Sequence, residues 1–196
     1  MDAAPAQRGP RDWRPTDSHW GIIAKLIHWL MAVMIIGMLI VGTIMENMEF
    51  SDLKFELYQL HKSFGLTLMV LALIRLLWRV PGAVPALPAT MPGWQRRASS
   101  VSHILLYGFM FAMPLSGWVM VSASDLGIQT SYFGLFDVPH LVEPDEDLEE
   151  TMKRVHGLLA WGLVALLAVH LCAALKHHLV DRDAVLRRML PGRTTM

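Results

Sequence analysis

The chain contains four long stretches in which nearly every side chain is apolar, separated by polar and charged segments. The stretches cover residues 21–44, 60–78, 101–121 and 155–175. A helix needs about 20 apolar residues to cross a hydrocarbon core of about 30 Å, so each stretch is long enough to span a bilayer. The pattern predicts an all-α integral membrane protein, a four-helix bundle that forms one membrane domain over residues 1–196.

The distribution of basic residues predicts the orientation of this bundle. Basic residues concentrate before the first stretch, between the second and third, and after the fourth, which lie on one side of the membrane if there are four spans. They are Arg8, Arg11, Arg14 and Lys25, then Arg75, Arg79, Arg96 and Arg97, then Lys176, Arg182, Arg187, Arg188 and Arg193. Because Lys and Arg are enriched on the cytoplasmic side, both termini are predicted to be cytoplasmic.

Composition adds little about soluble partners. Hydrophobic residues make up 54% of the chain and the formal net charge is zero, so the lipid bilayer, and not nucleic acid, is the expected partner. About 20 mostly polar residues precede the first stretch, which is longer than a signal-peptide core, so the first helix is expected to be retained. The one cysteine, Cys172, lies in an apolar stretch and is expected to pack there.

Histidines occur inside or at the edges of these apolar stretches, where an ionisable side chain is costly and usually functional. In the fourth stretch His156 and His170 are 14 residues apart. A helix returns to nearly the same face after 14 residues and rises about 21 Å. One helix therefore presents two imidazoles on one face, one near each membrane surface.

The other helices supply a partner for each imidazole at matching depth. His28 lies near the cytoplasmic start of the first span, at the depth of His170, and His61 lies near the periplasmic start of the second span, at the depth of His156. Two facing pairs inside a four-helix bundle have the arrangement that two six-coordinate haems require. Zinc or a dimetal centre needs three or four ligands at one point, which these separated pairs do not offer.

Arg75 follows His61 by the same 14 residues and is therefore predicted to lie near the His28/His170 pair. Its planar guanidinium is suited to a haem propionate, and Arg79 is a second candidate one turn further on. Arginines that extend to the interface from a helix end are the structural alternative for both. His103, at the start of the third span, is expected to have a structural role or to contact a propionate.

Several segments closely resemble the bacterial cytochrome b561 family of dihaem inner-membrane proteins. They are LIHW in the first span, QLHKSFG and LIRLLWR in the second, KRVHGLLAWG and VHLCAALKHH in the fourth, and the ending DRDAVLRRMLP. The resemblance implies two haem b groups, one held by His28 and His170 and the other by His61 and His156. It also implies a multi-pass protein of the bacterial inner (cytoplasmic) membrane that passes electrons between a donor and the quinone pool.

The resemblance further implies a quinone site, for ubiquinone or another quinone, near His177 and His178 on the cytoplasmic side. Some family members oxidise superoxide at the periplasmic face, where Lys153 and Arg154 are candidates to attract an anionic donor. The acidic run EPDEDLEE just upstream opposes that attraction and is suited to a solvated loop or to a basic electron carrier. The expected activity is therefore that of a superoxide:quinone oxidoreductase or of another quinone-linked electron-transfer protein.

Two other functions remain open from the sequence. The chain has the four-histidine arrangement of a cytochrome b subunit that anchors a larger dehydrogenase or hydrogenase. It is also compatible with a haem-free transporter that uses buried histidines as a proton relay. The direction of electron flow depends on distances and fields that residue spacing does not define.

Overall fold

Four long helices account for most of the structure. A computed structural model describes residues 13–16 and 20–190, so Arg8, Arg11 and Arg193 lie outside the described residues. The helices are α1 (Ile22–Asn47), α2 (Asp52–Arg79), α3 (Gly93–Ala123) and α4 (Glu146–Leu179). Each is long and apolar enough to cross a membrane, which confirms the prediction of a helical membrane protein.

The helices extend beyond the apolar stretches because polar caps and charges favour their ends. The Ser51 side chain accepts a hydrogen bond from the backbone N–H of Lys54 at the start of α2, and that of Asp145 accepts from Leu148 at the start of α4. Residues 146–150 of the acidic run, which the sequence analysis assigned to a loop, therefore form the first turn of α4, and residues 143–145 precede the helix. Its carboxylates lie at the N-terminus of the helix dipole, where negative charge is stabilised.

Consecutive helices run in opposite directions, which gives the bundle two ends. The terminal end contains the starts of α1 and α3 and the ends of α2 and α4. The segment after α4 folds back onto this end, where Trp29 Nε1 donates to the carbonyl of Met189 at 2.8 Å and Arg188 donates to that of Ala86 at 2.6 Å. The opposite end is called the hairpin end.

The hairpin end is named for two short antiparallel strands in the α3–α4 connection. Strand β1 (Thr130–Tyr132) pairs with β2 (Phe136–Val138), with Ser131 opposite Asp137. The turn between them includes Gly134, which has a positive φ of 73°. This hairpin was not predicted, and it is the one departure from all-α structure among the described residues.

Polar side chains at four-residue intervals on α2 hold the hairpin. Ser63 Oγ accepts from the backbone N–H of Phe133 at 3.0 Å, and Gln59 donates to the carbonyl of Gln129 at 3.0 Å. One turn further, Thr67 and Tyr132 share a hydrogen bond of 3.0 Å. Strand β1 therefore packs against α2, and Ser63 is completely buried.

The helices do not all pack equally closely. Close backbone packing joins α3 with α4, α1 with α2 and α2 with α3, whereas within the described residues α4 has no extended close backbone contact with α1 or α2. The buried core lies between the helices at mid-height; it consists of Met31, Ile35, Leu68, Ala72, Met110 and Leu163. Many large apolar side chains point outward, including Leu26, Val33, Leu158 and Trp161, as expected for lipid contact.

Candidate functional site

At the terminal end, the imidazoles of His28 on α1 and His170 on α4 face each other. Their ring centroids are 6.4 Å apart and their planes are inclined by 63°. Trp29 packs edge-on against the His28 ring at 5.5 Å. The sequence predicted that these two imidazoles lie at the same depth, and the structure brings them together.

At the hairpin end, His61 on α2 and His156 on α4 form a second pair with the same ring separation, 6.4 Å, and an inclination of 68°. The Ser116 hydroxyl donates to the carbonyl of Met113 at 2.8 Å, which leaves its oxygen to accept from His156 Nδ1 at 2.9 Å. Ser116 is buried, so this bond fixes the ring orientation. His61 Nδ1 is buried and has no partner among the described residues.

Two glycines allow the helices to approach these rings. A Cβ at Gly117 would lie 3.2 Å from His156 Cε1, and a Cβ at Gly42 would lie 3.5 Å from His61 Cε1. Gly65 and Gly157 also lie close to histidines in the sequence, but a Cβ at either position would not lie near an imidazole. The sequence did contain a signal that Gly42 lies on the His28 face of α1, because Gly42 follows His28 by the same 14 residues that separate His156 from His170.

A cationic and aromatic cluster surrounds the terminal-end pair. Arg75 Nε donates to the Tyr107 hydroxyl at 3.3 Å, and the Arg75 charge acts on both His28 and His170. The Arg79 guanidinium lies 5.9 Å from the ring centroids of both Trp20 and Tyr107. Sequence reasoning missed Tyr107 because its contact with Arg75 depends on the rotation of α3 against α2.

His103 belongs to the same cluster. Its ring centroid is 5.6 Å from that of His170, and its Nδ1 donates to the carbonyl of Ser99 at 2.7 Å. A small cavity of about 30 Å³ lies beside it and is also lined by Arg75, Trp78 and Arg79. Trp78 Nε1 is buried there without a hydrogen-bond partner among the described residues, so donors at this place outnumber the acceptors.

The remaining predicted residues lie outside both pairs. His177 is in the last turn of α4 and its Nδ1 lies 2.6 Å from an Asp183 oxygen, while His178 lines an open depression with Arg182 and Arg187. At the other end, Lys153 is exposed. Arg154 pairs with Glu150 one turn earlier on an exposed surface, so the structure does not direct its charge at His156.

Both imidazole pairs fit a metal centre that is held from two opposite sides. Bonds from a metal to imidazole nitrogen are about 2 Å long, so two imidazoles on opposite sides of one metal have ring centroids roughly 6 Å apart. The observed separation is 6.4 Å in both pairs. The rings of His28, His61 and His170 make no hydrogen bond to other described residues, and the loose packing of α4 against α1 and α2 suits a flat group between them.

Comparisons with known proteins point to one family. The family model described as prokaryotic cytochrome b561 matches residues 19–192. Cytochrome b561 homolog 2 of Escherichia coli (strain K12) is 37% identical over 177 residues, covering 89% of this chain and 93% of that protein. Cytochrome b561 homolog 1 of the same organism is 34% identical over 133 residues, covering 68% and 74%. The probable superoxide oxidase CybB of Yersinia pestis is 30% identical over 171 residues, covering 84% and 92%.

Proposed function

Because the chain belongs to the prokaryotic cytochrome b561 family, we propose that it binds two haem b groups and connects an electron donor at the hairpin end with quinone at the terminal end. Family membership and the four apolar helices support a b-type haem protein of the membrane that transfers electrons. The observation that supports two haems is the presence of two separate imidazole pairs with the same 6.4 Å ring separation.

In this proposal each iron is held by one imidazole from α4 and one from α1 or α2. His28 and His170 would hold one haem, and His61 and His156 would hold the other. Haem held by these four histidines would supply one-electron transfer chemistry. Ser116 orients His156 through its Nδ1, as partners of metal-bound histidines commonly do.

The arginines of the terminal end are proposed to hold haem carboxylates. Arg75 and Arg79 lie in the same cluster as Tyr107 and the unpaired indole N–H of Trp78. Several donors without enough acceptors at one place favour binding of an anion. A propionate beside Arg75 would be paired with its charge and would satisfy donors that the described residues leave open.

Quinone is proposed to bind at the terminal end near His177 and His178, because these imidazoles follow His170 on the same helix by seven and eight residues. The donor is proposed to act at the hairpin end near Lys153 and Arg154. Superoxide is supported as the donor by the similarity to the probable superoxide oxidase of Yersinia pestis. The acidic start of α4 favours a basic electron carrier as the second candidate, since carboxylates repel an anion.

The charges at the two ends support the proposed orientation. Among the described residues the terminal end carries Arg79, Arg96, Arg97, Lys176, Arg182, Arg187 and Arg188, whereas α4 begins at the hairpin end with Glu146, Asp147 and Glu149. An excess of Lys and Arg marks the cytoplasmic side. We therefore place both termini in the cytoplasm and the chain in the bacterial inner membrane, as one membrane domain with spans near 21–44, 60–78, 101–121 and 155–175.

The first test is the dithionite-reduced minus oxidised visible spectrum of detergent-purified protein, with haem quantified as the pyridine haemochrome. The expected result is a b-type spectrum with about two haems per chain. One haem per chain would refute the paired arrangement. No haem in protein made with adequate haem supply would refute the redox function and favour the proton-relay transporter.

Two alternatives make different predictions. An anchor subunit of a larger dehydrogenase or hydrogenase would copurify with a peripheral redox partner, and it would react with quinone but not with superoxide. A proton relay requires hydrogen-bonded neighbours, yet along α4 the two imidazole pairs are separated by about 21 Å. The structure shows no chain of hydrogen bonds between the pairs within its described residues, which disfavours the relay.

A further inference from the structure

The chain reverses direction directly after α4, and this turn returns an acidic side chain to the helix. Arg182 has a φ of 53°, in the left-handed region, and the backbone N–H of Asp183 then donates to the carbonyl of His177 at 3.0 Å. Asp183 Oδ1 accepts from the backbone N–H of Val185 at 2.9 Å. The Asp183 carboxylate is therefore fixed beside the last turn of α4.

His177 lies directly against this fixed carboxylate. Its Nδ1 is 2.6 Å from Asp183 Oδ2, and the two side chains are only 12% and 16% exposed. An imidazole that donates its Nδ1–H to a carboxylate has a defined tautomer and ring orientation. Nε2 is the ring nitrogen that makes no hydrogen bond to another described residue.

Asp181 is also close but is paired differently. Its Oδ2 lies 3.1 Å from His177 Nδ1 and 2.6 Å from Lys176 Nζ, and its side chain is 31% exposed. The ligand atoms of His177, Asp181 and Asp183 lie within 4.8 Å of one another, a spacing that also suits a divalent cation. The lysine ammonium on Asp181 and the backbone bond to Asp183 favour the hydrogen-bonded cluster over a metal site.

We propose that Asp183 is a positioning residue that holds His177 as the proton donor to quinone. This inference rests on the proposed quinone site at the terminal end. Reduction of quinone to quinol consumes two electrons, which the donor supplies, and two protons. Each proton passes from Nε2–H of the imidazolium to a quinone oxygen, and the neutral imidazole then regains a proton from water. The Asp183 carboxylate accepts the Nδ1–H and holds the ring in this orientation throughout.

The test separates the two halves of the reaction in purified, haem-loaded protein. Reduced protein is mixed with a short-chain ubiquinone in a stopped-flow instrument and its reoxidation is followed, and reduction of oxidised protein by superoxide is followed separately. In Asp183→Asn, reoxidation by quinone is expected to slow at least about tenfold. Haem content and the rate of reduction by superoxide are expected to stay within about twofold, because Asp183 acts only on the quinone step.

Two matched variants test whether the effect depends on the carboxylate at position 183. Asp183→Glu restores a carboxylate and is expected to recover most of the quinone rate, which a purely steric role would not predict. Asp181→Asn removes the neighbouring carboxylate and is expected to change the rate less than about threefold, since an exposed pair contributes little. An equal loss in Asp181→Asn, or no recovery in Asp183→Glu, would contradict the assignment to Asp183.

Chemical rescue supplies an independent measurement if Asp183→Asn loses haem. His177→Ala is expected to slow quinone reduction, and imidazole added to the buffer is expected to restore it severalfold; absence of rescue would overturn the proton-donor role. If wild-type reduced protein is not reoxidised by quinone, the proposed function itself fails. If wild type reacts and Asp183→Asn reacts equally fast, only the inference about Asp183 fails.

Discussion

The two imidazole pairs have equal ring separations, 6.4 Å, but different surroundings. The hairpin-end pair lies among small and neutral groups: Ser116 bonds to one ring, and Gly42 and Gly117 allow close approach. The terminal-end pair lies among a third imidazole, His103, and the guanidinium of Arg75. Equal geometry with unequal charge implies that two haems held here would differ in reduction potential.

The sign of that difference follows from electrostatics. Reduction adds one negative charge to the haem, and a nearby cation stabilises the reduced form. The terminal-end haem is therefore expected to have the higher potential, so electrons would move from the hairpin end toward the terminal end. This direction matches the proposed positions of donor and quinone, which residue spacing alone did not define.

The largest expected effect is the loss of one haem while the other is retained. His28→Ala or His170→Ala is expected to remove the terminal-end haem and leave the other, and His61→Ala or His156→Ala is expected to do the reverse, because one imidazole alone holds haem weakly. The pyridine haemochrome should fall from about two haems per chain to about one. His103→Ala is the control and should keep both; retention of both haems in all four ligand variants would refute the pairing.

A smaller effect is expected when the packing around the hairpin-end imidazole pair is disturbed. Gly117→Val would place new atoms against His156, where even a Cβ lies 3.2 Å from Cε1, and overpacking of this kind costs about 1–3 kcal/mol. Haem loss on heating should begin earlier for the hairpin-end haem alone. Gly108→Val is a matched control on the same helix, because a Cβ at Gly108 meets nothing within 4 Å. Equal losses in both variants would point to helix destabilisation instead.

Substitution of Arg75 tests whether its charge causes the difference in reduction potential between the two haems. Arg75→Gln is expected to lower the terminal-end potential by roughly 40–90 mV, because a nearby unit charge at an effective dielectric constant of about 20 contributes about 1–2 kcal/mol. Redox titration of both haems measures this shift. The hairpin-end potential in the same protein serves as the control, and a shift upward would contradict the electrostatic assignment.

The smallest predicted effect concerns Ser116. In Ser116→Ala, His156 loses its Nδ1 acceptor and becomes a weaker electron donor to iron, so the hairpin-end potential is expected to rise. A hydrogen bond of about 1 kcal/mol corresponds to roughly 40 mV. Arg75→Gln lowers the higher potential and Ser116→Ala raises the lower one, so the two variants together should reduce the difference between the two haem potentials. An unchanged titration in Ser116→Ala would mean that Ser116 only packs against the ring.

The sequence predicted the features that depend on one helix at a time. The length of each apolar stretch indicated four helices, and the 14-residue spacing in α4 placed His156 and His170 on one face. Depth matching then related His28 to His170 and His61 to His156, whose rings the structure brings together. Their role as haem ligands stays a prediction.

Features that depend on several elements were missed. Ser116 reaches His156 only because α3 packs along α4 with a particular rotation, and apolar periodicity did not define that rotation. The turn at Arg182 requires a positive φ at a residue other than glycine, so it gave no local signal. The β-hairpin depends on hydrogen bonds to α2 from residues about 70 positions away, which no short window of sequence contains.

The position of α4 in the chain has a consequence for biogenesis. Both imidazole pairs take one member from α4, which the ribosome produces after α1, α2 and α3, and the other from α1 or α2. During synthesis His28 on α1 and His61 on α2 therefore lack their partner imidazoles until α4 inserts into the membrane. Completion of the pairs thus coincides with completion of the bundle, and a truncated chain cannot assemble either pair.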